Sequence, residues 1–221
     1  MKSQIGAACS RCGRDPKDIV LIGVTKYTDA QSIREGVEAG LTDIGENRVQ
    51  DAKAKFDELT DIQGQFTRHL IGHLQTNKVK VALDYFDLIQ SVDSLKLVKE
   101  IQKQAENKEK VVRILVQVNT SGESQKFGAE SGAALDLVAE IAKMPNILVE
   151  GLMTIGPLVD DERILRACFS DLRRISENLT RSFIGSEKIK MKYLSMGMTN
   201  DFGIAIEEGA NMIRVGRAIF S

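Results

Sequence analysis

Apolar runs of strand length alternate with stretches of helical periodicity from one end of the chain to the other. The strongest run is Ile19-Val20-Leu21-Ile22-Gly23-Val24-Thr25-Lys26. Further strands are predicted near 42–46, 66–72, 87–92, 111–119, 147–155, 192–196 and 212–219, each but the last followed by a helical stretch. A short helix at about 2–12 precedes them. Asp29 stands where it can cap a helix over the following residues, and Gly40 is placed to stop that helix. The runs 111–118 and 147–153 are mostly apolar rather than alternating, as parallel strands covered on both faces are. Two architectures repeat βα units in this way, the doubly wound open sheet and the closed barrel. No G-x-G-x-x-G follows the first strand, and about eight units match a (β/α)8 TIM barrel. No Pro/Gly/Ser linker interrupts the pattern, so residues 1–221 are expected to form one domain. The chain ends on the last predicted strand, and the N-terminal helix is expected to take the place of the final barrel helix.

Composition narrows the function classes. The chain has 221 residues, 43% hydrophobic and 28% charged, with a formal charge of -1, and its basic residues are dispersed among carboxylates. Phosphate backbones are met by basic stripes, so nucleic acid is not an expected partner. The N-terminus lacks the apolar core of a signal peptide and no run is long enough to span a bilayer, which predicts a cytoplasmic protein without a membrane partner. Cys9, Cys12 and Cys168 form an odd set suited to a reducing compartment. Cys9 and Cys12 make a C-x-x-C, and His69 and His73 are four apart, but these pairs lie far outside finger-like spacing and the histidines fall in a strand pattern. No metal site is expected.

Barrels carry their chemistry at the C-terminal ends of the strands. Those positions hold Lys26, Glu46-Asn47, Gly72-His73, Ser91 and Asp93, Asn119, Met153 to Gly156, Ser195 to Thr199, and Arg214-Val215-Gly216-Arg217. If alternation is followed back from Lys26, Val24, Ile22 and Val20 share its face, so its stem is expected to rise from an apolar wall. Desolvation there would free the neutral amine, the nucleophile toward aldehydes. Lysines are also common at strand ends for no chemical reason. Ser195, Gly197, Thr199 and Asn200 supply small hydrogen-bonding groups after the seventh strand, and Gly216 lets backbone approach a ligand after the eighth, where barrels often bind phosphate. Each glycine alone is better explained by a turn or by packing. An amine and a phosphate cradle on one rim describe a ligand with both an aldehyde and a phosphate. A class I aldolase acting on a sugar phosphate fits that description as well as a cofactor-binding protein does.

The segments Gly23-Val24-Thr25-Lys26, Asp43-Ile44-Gly45-Glu46-Asn47 and His69-Leu70-Ile71-Gly72-His73-Leu74-Gln75-Thr76-Asn77-Lys78 resemble the YggS/PROSC family of pyridoxal 5'-phosphate homeostasis proteins. So do Val116 to Asn119, Gly151 to Pro157, Leu194 to Asp201 and Ile213 to Phe220, in order along nearly the whole chain. The resemblance implies a barrel like the N-terminal domain of alanine racemase, with pyridoxal 5'-phosphate as cofactor. It gives Lys26 the aldimine role, sets Ser195, Thr199, Gly216 and Arg217 around the phosphate, puts Asn47 beside the cofactor, and turns Arg214 to the pyridine nitrogen. Tyr27-Thr28, Arg48 and Arg68 depart from the family pattern, which is expected to alter the cofactor entrance.

The same resemblance bears on catalysis. A cation at the ring nitrogen weakens the cofactor as an electron sink, and racemases of this fold draw a second acid/base from a further β domain that this sequence does not show. Tyr27, Tyr85 and Tyr193 do not occupy an assignable acid/base position. The expectation is a monomeric carrier or buffer without turnover, supplying cofactor to pyridoxal-phosphate-dependent apo-enzymes. The enzyme-class rival is a slow racemase, lyase or transaminase.

Overall fold

The computed structural model, in which residues 1–123 and 125–220 are described, closes the βα repeats into a ring. In chain order the elements are α1 (Lys2–Cys12), β1 (Val20–Val24), α2 (Ala30–Glu38), β2 (Asp43–Glu46), α3 (Val49–Asp57), β3 (Thr67–Leu70), α4 (Val79–Tyr85), β4 (Leu88–Val92) and α5 (Leu95–Asn107). Then follow β5 (Val112–Asn119), β6 (Ala129–Glu130), α6 (Ala134–Ala142), β7 (Ile147–Met153), α7 (Glu162–Ser182), β8 (Ile189–Ser195), α8 (Phe202–Glu207), β9 (Met212–Val215) and α9 (Arg217–Phe220). Every strand pairing is parallel, and β4–β5 together with β1–β9 close the barrel. The short β6 lies against the end of β5, outside the ring.

Period-2 alternation in a closed ring divides each strand between two cores. Inward residues Ile22, Leu88, Leu115, Met153 and Met212 form a small apolar layer, with Val20, Ile155 and Tyr193 packed on it. Outward residues such as Ile44, Leu70, Ile89, Ile114, Val149 and Ile213 join the helices in the larger core. Both faces of a strand are therefore covered, which is why the sequence runs are apolar without alternation. The inward positions beyond the apolar layer are instead polar and buried: His69, Gln90, Gln117, Ser195 and Arg214.

Local signals act as their chemistry requires. Asp29 caps α2, its carboxylate accepting from Ser32 N–H at 2.8 Å, and the Gly40 N–H bonds back to Val37 O at 2.9 Å as the helix ends. Two expected boundaries are corrected. The first strand stops at Val24, and Thr25 to Thr28 form a turn closed by Thr28 N–H to Thr25 O at 2.9 Å. The last strand stops at Val215 and the chain coils into α9, whose Phe220 ring fills the space beside Gly23 and Gly36. A short final helix is thus present. α1 docks on α8 and the turn into β9, where Arg14 donates to Ile206 O at 2.9 Å and Ala210 O at 2.6 Å and Arg11 pairs with Glu207. Among the described residues no helix is long and apolar enough to cross a membrane.

Candidate functional site

Arg214 is a buried, doubly hydrogen-bonded cation at the C-terminal mouth. It points into the barrel from β9 at 4% exposure, its Nη1 donating to Ser195 Oγ and its Nη2 to Thr154 O, both at 2.7 Å. Burial disfavours the charged form and pushes its pKa down to about 10, with Asp201 opposing the shift. Ser195, at the end of β8, donates in turn to Gln90 Oε1 at 2.6 Å. Its hydroxyl is therefore engaged twice. Thr154 N–H bonds to Ser195 O at 3.0 Å, tying the ends of β7 and β8 together behind the guanidinium.

The loop after β8 folds tightly over Arg214. Gly197 has φ +93, a left-handed conformation, and a Cβ there would stand 2.6 Å from the Ala205 Cβ, so glycine is required on both counts. Its carbonyl accepts from Arg214 N–H at 3.0 Å. Asp201 accepts from Met198 N–H, and its carboxyl is raised above its usual range by burial, less what that hydrogen bond and Arg214 return. Thr199 is half-buried in the same loop. Gly216 passes close to β1, where a Cβ would lie 3.0 Å from Val24 O, and Arg217 follows it as the exposed first residue of α9.

The lysine side of the mouth is built differently. Val20 and Ile22 do line the interior, but Lys26 stands clear of that wall in the turn after β1 and is exposed. The expected apolar sheath around its stem is not formed, because the strand ends two residues earlier and the turn lifts the residue outward. Its Nζ lies 4.9 Å from the centre of the Tyr27 ring, which is itself 90% exposed. Behind Lys26, Thr25 is buried and its hydroxyl donates to Glu46 Oε1 at 2.6 Å. Lys55 of α3 donates to the same carboxylate oxygen at 2.7 Å and also to Thr25 O. The peptide that carries Lys26 is therefore braced from the helical side by a fully buried carboxylate. Glu46, a rim residue in the sequence pattern, faces this outer layer.

Asn47, next along from Glu46, has its side-chain oxygen buried without a hydrogen-bond partner. A Cβ on Gly72 would collide with the Asn47 backbone at 2.2 Å, so only glycine lets the loop after β3 run past it. His73 and Asp93 do meet at the rim, 3.7 Å apart, with the imidazole stacked on Phe127 at 3.9 Å between ring centres. Of the three departures from the family pattern, Tyr27 and Arg48 are exposed beyond the ends of β1 and β2. Arg68 is not at the entrance: it pairs with Asp87 through Nη2 at 2.8 Å and Nε at 3.0 Å near the start of β4. Among the described residues no group of three or more His, Cys, Asp or Glu could hold a metal ion.

Two features of the site were missed by sequence reasoning, Gln90 and the Glu46–Lys55 brace; Thr154 stood among the strand-end positions, but its carbonyl contact with Arg214 was not foreseen. Gln90 left a signal, since it interrupts the apolar run Leu88-Ile89-Gln90 at the inward parity of Leu88. The residues present suit a phosphorylated aldehyde: an accessible amine, an unpartnered buried amide oxygen, a buried guanidinium, and two glycine-bearing loops at the same end of the barrel.

Comparison with known proteins agrees. The profile of the family described as alanine racemase, N-terminal domain, matches residues 22–221. The pyridoxal phosphate homeostasis protein of Aquifex aeolicus is 39% identical over 217 residues, spanning 98% of this chain and 92% of that protein. PipY of Synechococcus elongatus, solved with PLP bound, superposes with a TM-score of 0.84 at 32% identity, covering 99% of this chain and 100% of PipY. Alanine racemase of Clostridium difficile shares the fold at a TM-score of 0.76 and 15% identity, covering 98% of this chain and 53% of the racemase.

Proposed function

This chain belongs to the pyridoxal phosphate homeostasis protein family, and from that membership and the geometry of its mouth we propose that it binds pyridoxal 5'-phosphate and serves as a carrier or buffer supplying apo-enzymes. The observation that carries this reading is the pairing of β1 with β9, which sets Ile22 opposite Arg214. An accessible amine at Lys26 and a buried cation at Arg214 thus rise on neighbouring strands, one at the rim and one below it.

The cofactor supplies an aldehyde carbon, which a primary amine attacks with loss of water, and a phosphate for anchoring. Lys26 offers the amine on a turn that leaves it free to approach. The backbone of Gly197, Thr199 and residues 216–217, with the Thr199 hydroxyl, holds the phosphate, since N–H groups in such loops favour an anion; Met198 N–H is already taken by Asp201. Ser195 leaves the phosphate to the loop that follows it, because its hydroxyl is committed to Gln90 and Arg214 and its carbonyl to Thr154 N–H. Asn47 places its amide beside the ring. Arg214 directs its remaining N–H groups to the ring nitrogen, where a guanidinium that stays cationic at neutral pH opposes ring protonation. That opposition favours holding the cofactor over using it as an electron sink.

The test is a visible spectrum of the protein with added pyridoxal 5'-phosphate, followed by borohydride reduction and peptide mass mapping. An imine-type band with the reduced adduct on Lys26 is expected. A colourless protein without an adduct overturns the proposal and favours a Schiff-base aldolase. Loss of the α-hydrogen of an amino acid in deuterated solvent, at a rate above that of free cofactor, would replace the carrier reading with an enzymatic one.

A further inference from the structure

Across the barrel interior, five side chains from β2, β3, β4, β8 and β9 are joined in one unbroken hydrogen-bonded line: Asp43, His69, Gln90, Ser195 and Arg214. Exposure is 0% at Gln90 and Ser195, 1% at His69 and 4% at Arg214, so water does not complete the bonds among these four from outside, while the Asp43 side chain at the outer end is 17% exposed. The direction of each bond follows from the one residue that cannot accept. Arginine only donates, so Ser195 Oγ must be the acceptor at 2.7 Å and its own proton must go elsewhere. It goes to Gln90 Oε1 at 2.6 Å. That orients the amide, turning Nε2 to His69 Nδ1 at 3.0 Å and to Met212 Sδ at 3.3 Å. An amide nitrogen also only donates, so His69 Nδ1 must present its lone pair. The ring proton then sits on Nε2, which donates to Asp43 Oδ1 at 2.9 Å.

With a neutral ring at His69, reversing the amide would set Nε2 against a serine oxygen whose proton has lost its acceptor, and Oε1 against a bare imidazole nitrogen. Two unsatisfied buried contacts would result, each costly in a low-dielectric interior. Donors therefore all point from Arg214 toward Asp43, and the Asp43 carboxylate polarises the line so that Ser195 becomes a stronger acceptor for the guanidinium.

We propose that Asp43, His69, Gln90 and Ser195 form a one-directional relay that fixes Arg214, making Gln90 and His69 positioning residues for the group that faces the cofactor's ring nitrogen. The last clause rests on the pyridoxal-phosphate reading; the relay itself does not.

The chain has only two histidines, so the full-length protein with 15N-labelled histidine gives two ring spin systems, and the cofactor-free protein suffices. His73, held at the rim by Phe127 and Asp93, is the internal control. At neutral pH, His69 is expected as the Nε2–H tautomer with an acceptor-type Nδ1. Gln90→Met should move the His69 Nδ1 signal, and Arg214→Met and Ser195→Ala should move it too, although neither residue is its hydrogen-bond partner, with His73 unchanged. An Nδ1–H tautomer or an imidazolium in the unmodified protein, or a His69 signal unmoved in both Arg214→Met and Ser195→Ala, overturns the relay.

The positioning role is read with pyridoxal 5'-phosphate as probe. Gln90→Met should raise Kd about tenfold, the effect of losing a supporting hydrogen bond behind a binding group, and should shift the visible band. Gln90→Glu keeps an acceptor for Ser195 and draws a second proton onto His69, so it should restore Kd and band while converting the His69 signal to the imidazolium form. Unchanged Kd and band in Gln90→Met, with the Lys26 adduct still formed, overturns the positioning role. Absence of any Lys26 adduct in the unmodified protein overturns the cofactor reading and leaves the histidine result to stand on its own.

Discussion

The two sides of the barrel mouth solve opposite problems. On the β8–β9 side, Arg214 is buried and bonded to Ser195 and Thr154 under a loop that only glycine can form at position 197. On the β1–β2 side, Lys26 is exposed on a turn, and what is rigid lies behind it, in Thr25, Glu46 and Lys55. A group that recognises must be held in place before the ligand arrives, because ordering it afterwards weakens binding. A group that makes and breaks a covalent bond must reach its partner and let it go. Under the proposed function, with Lys26 as the covalent group and Arg214 as the recognising one, separating the two tasks across the mouth suits a protein that takes up a cofactor and releases it.

The comparison breaks most completely at Lys26. Lys26→Ala should abolish the borohydride-trapped adduct while changing stability by no more than about 0.5 kcal/mol, as expected of an exposed side chain, with urea denaturation as the check. Some phosphate-anchored affinity should remain. A trapped adduct in that variant would move the covalent role to another lysine.

Next in size is the brace. Lys55→Met removes the cation from Glu46, which is fully buried, and should cost about 3 kcal/mol in urea denaturation. Double substitution of Lys55→Met with Glu46→Gln should recover part of that loss, because the buried charge goes with its partner. Gly197→Ala should cost about 2 kcal/mol through backbone strain and the contact with Ala205. It should also weaken pyridoxal-phosphate affinity, measured by fluorescence or absorbance titration, while leaving Lys26 able to form an adduct at high cofactor concentration.

The smallest effect sharpens the electrostatics of the rigid side. Burial raises the Asp201 carboxyl above its ordinary value, so the folded state holds that proton more tightly than the unfolded chain. The stability this contributes is fully present below the ordinary carboxylate pKa and is lost as pH rises through the folded value. Asp201→Asn should remove that dependence. Stability of the native sequence relative to the variant should fall as pH rises through the acid range, and an unchanged difference would show that Asp201 is not strained by its burial.

How legible these features were depended on the reach of the interaction behind each. Asp29 and Gly40 act on neighbours within four residues, so their roles as helix start and stop could be read directly. The apolar runs at 111–118 and 147–153 announced strands covered on both faces, and the structure supplies the covering. Lys26 was legible as a rim residue but not in its exposure, because a turn closed by the Thr28–Thr25 hydrogen bond replaces the last two expected strand residues. Arg68 was read as an entrance residue and proves to pair with Asp87, at the other end of its strand.

The sequence by itself determined the repeat of strand and helix and the set of residues delivered to the strand ends, since both follow from short-range patterning. Ring closure decided the rest. Gln90 and Ser195 are 105 residues apart and His69 and Gln90 are 21 apart, and only the pairing register of a closed barrel brings their inward faces to one level. Whether a polar side chain in such a barrel is a defect or part of a relay depends on which partners that register sets opposite it, and no local pattern carries that information.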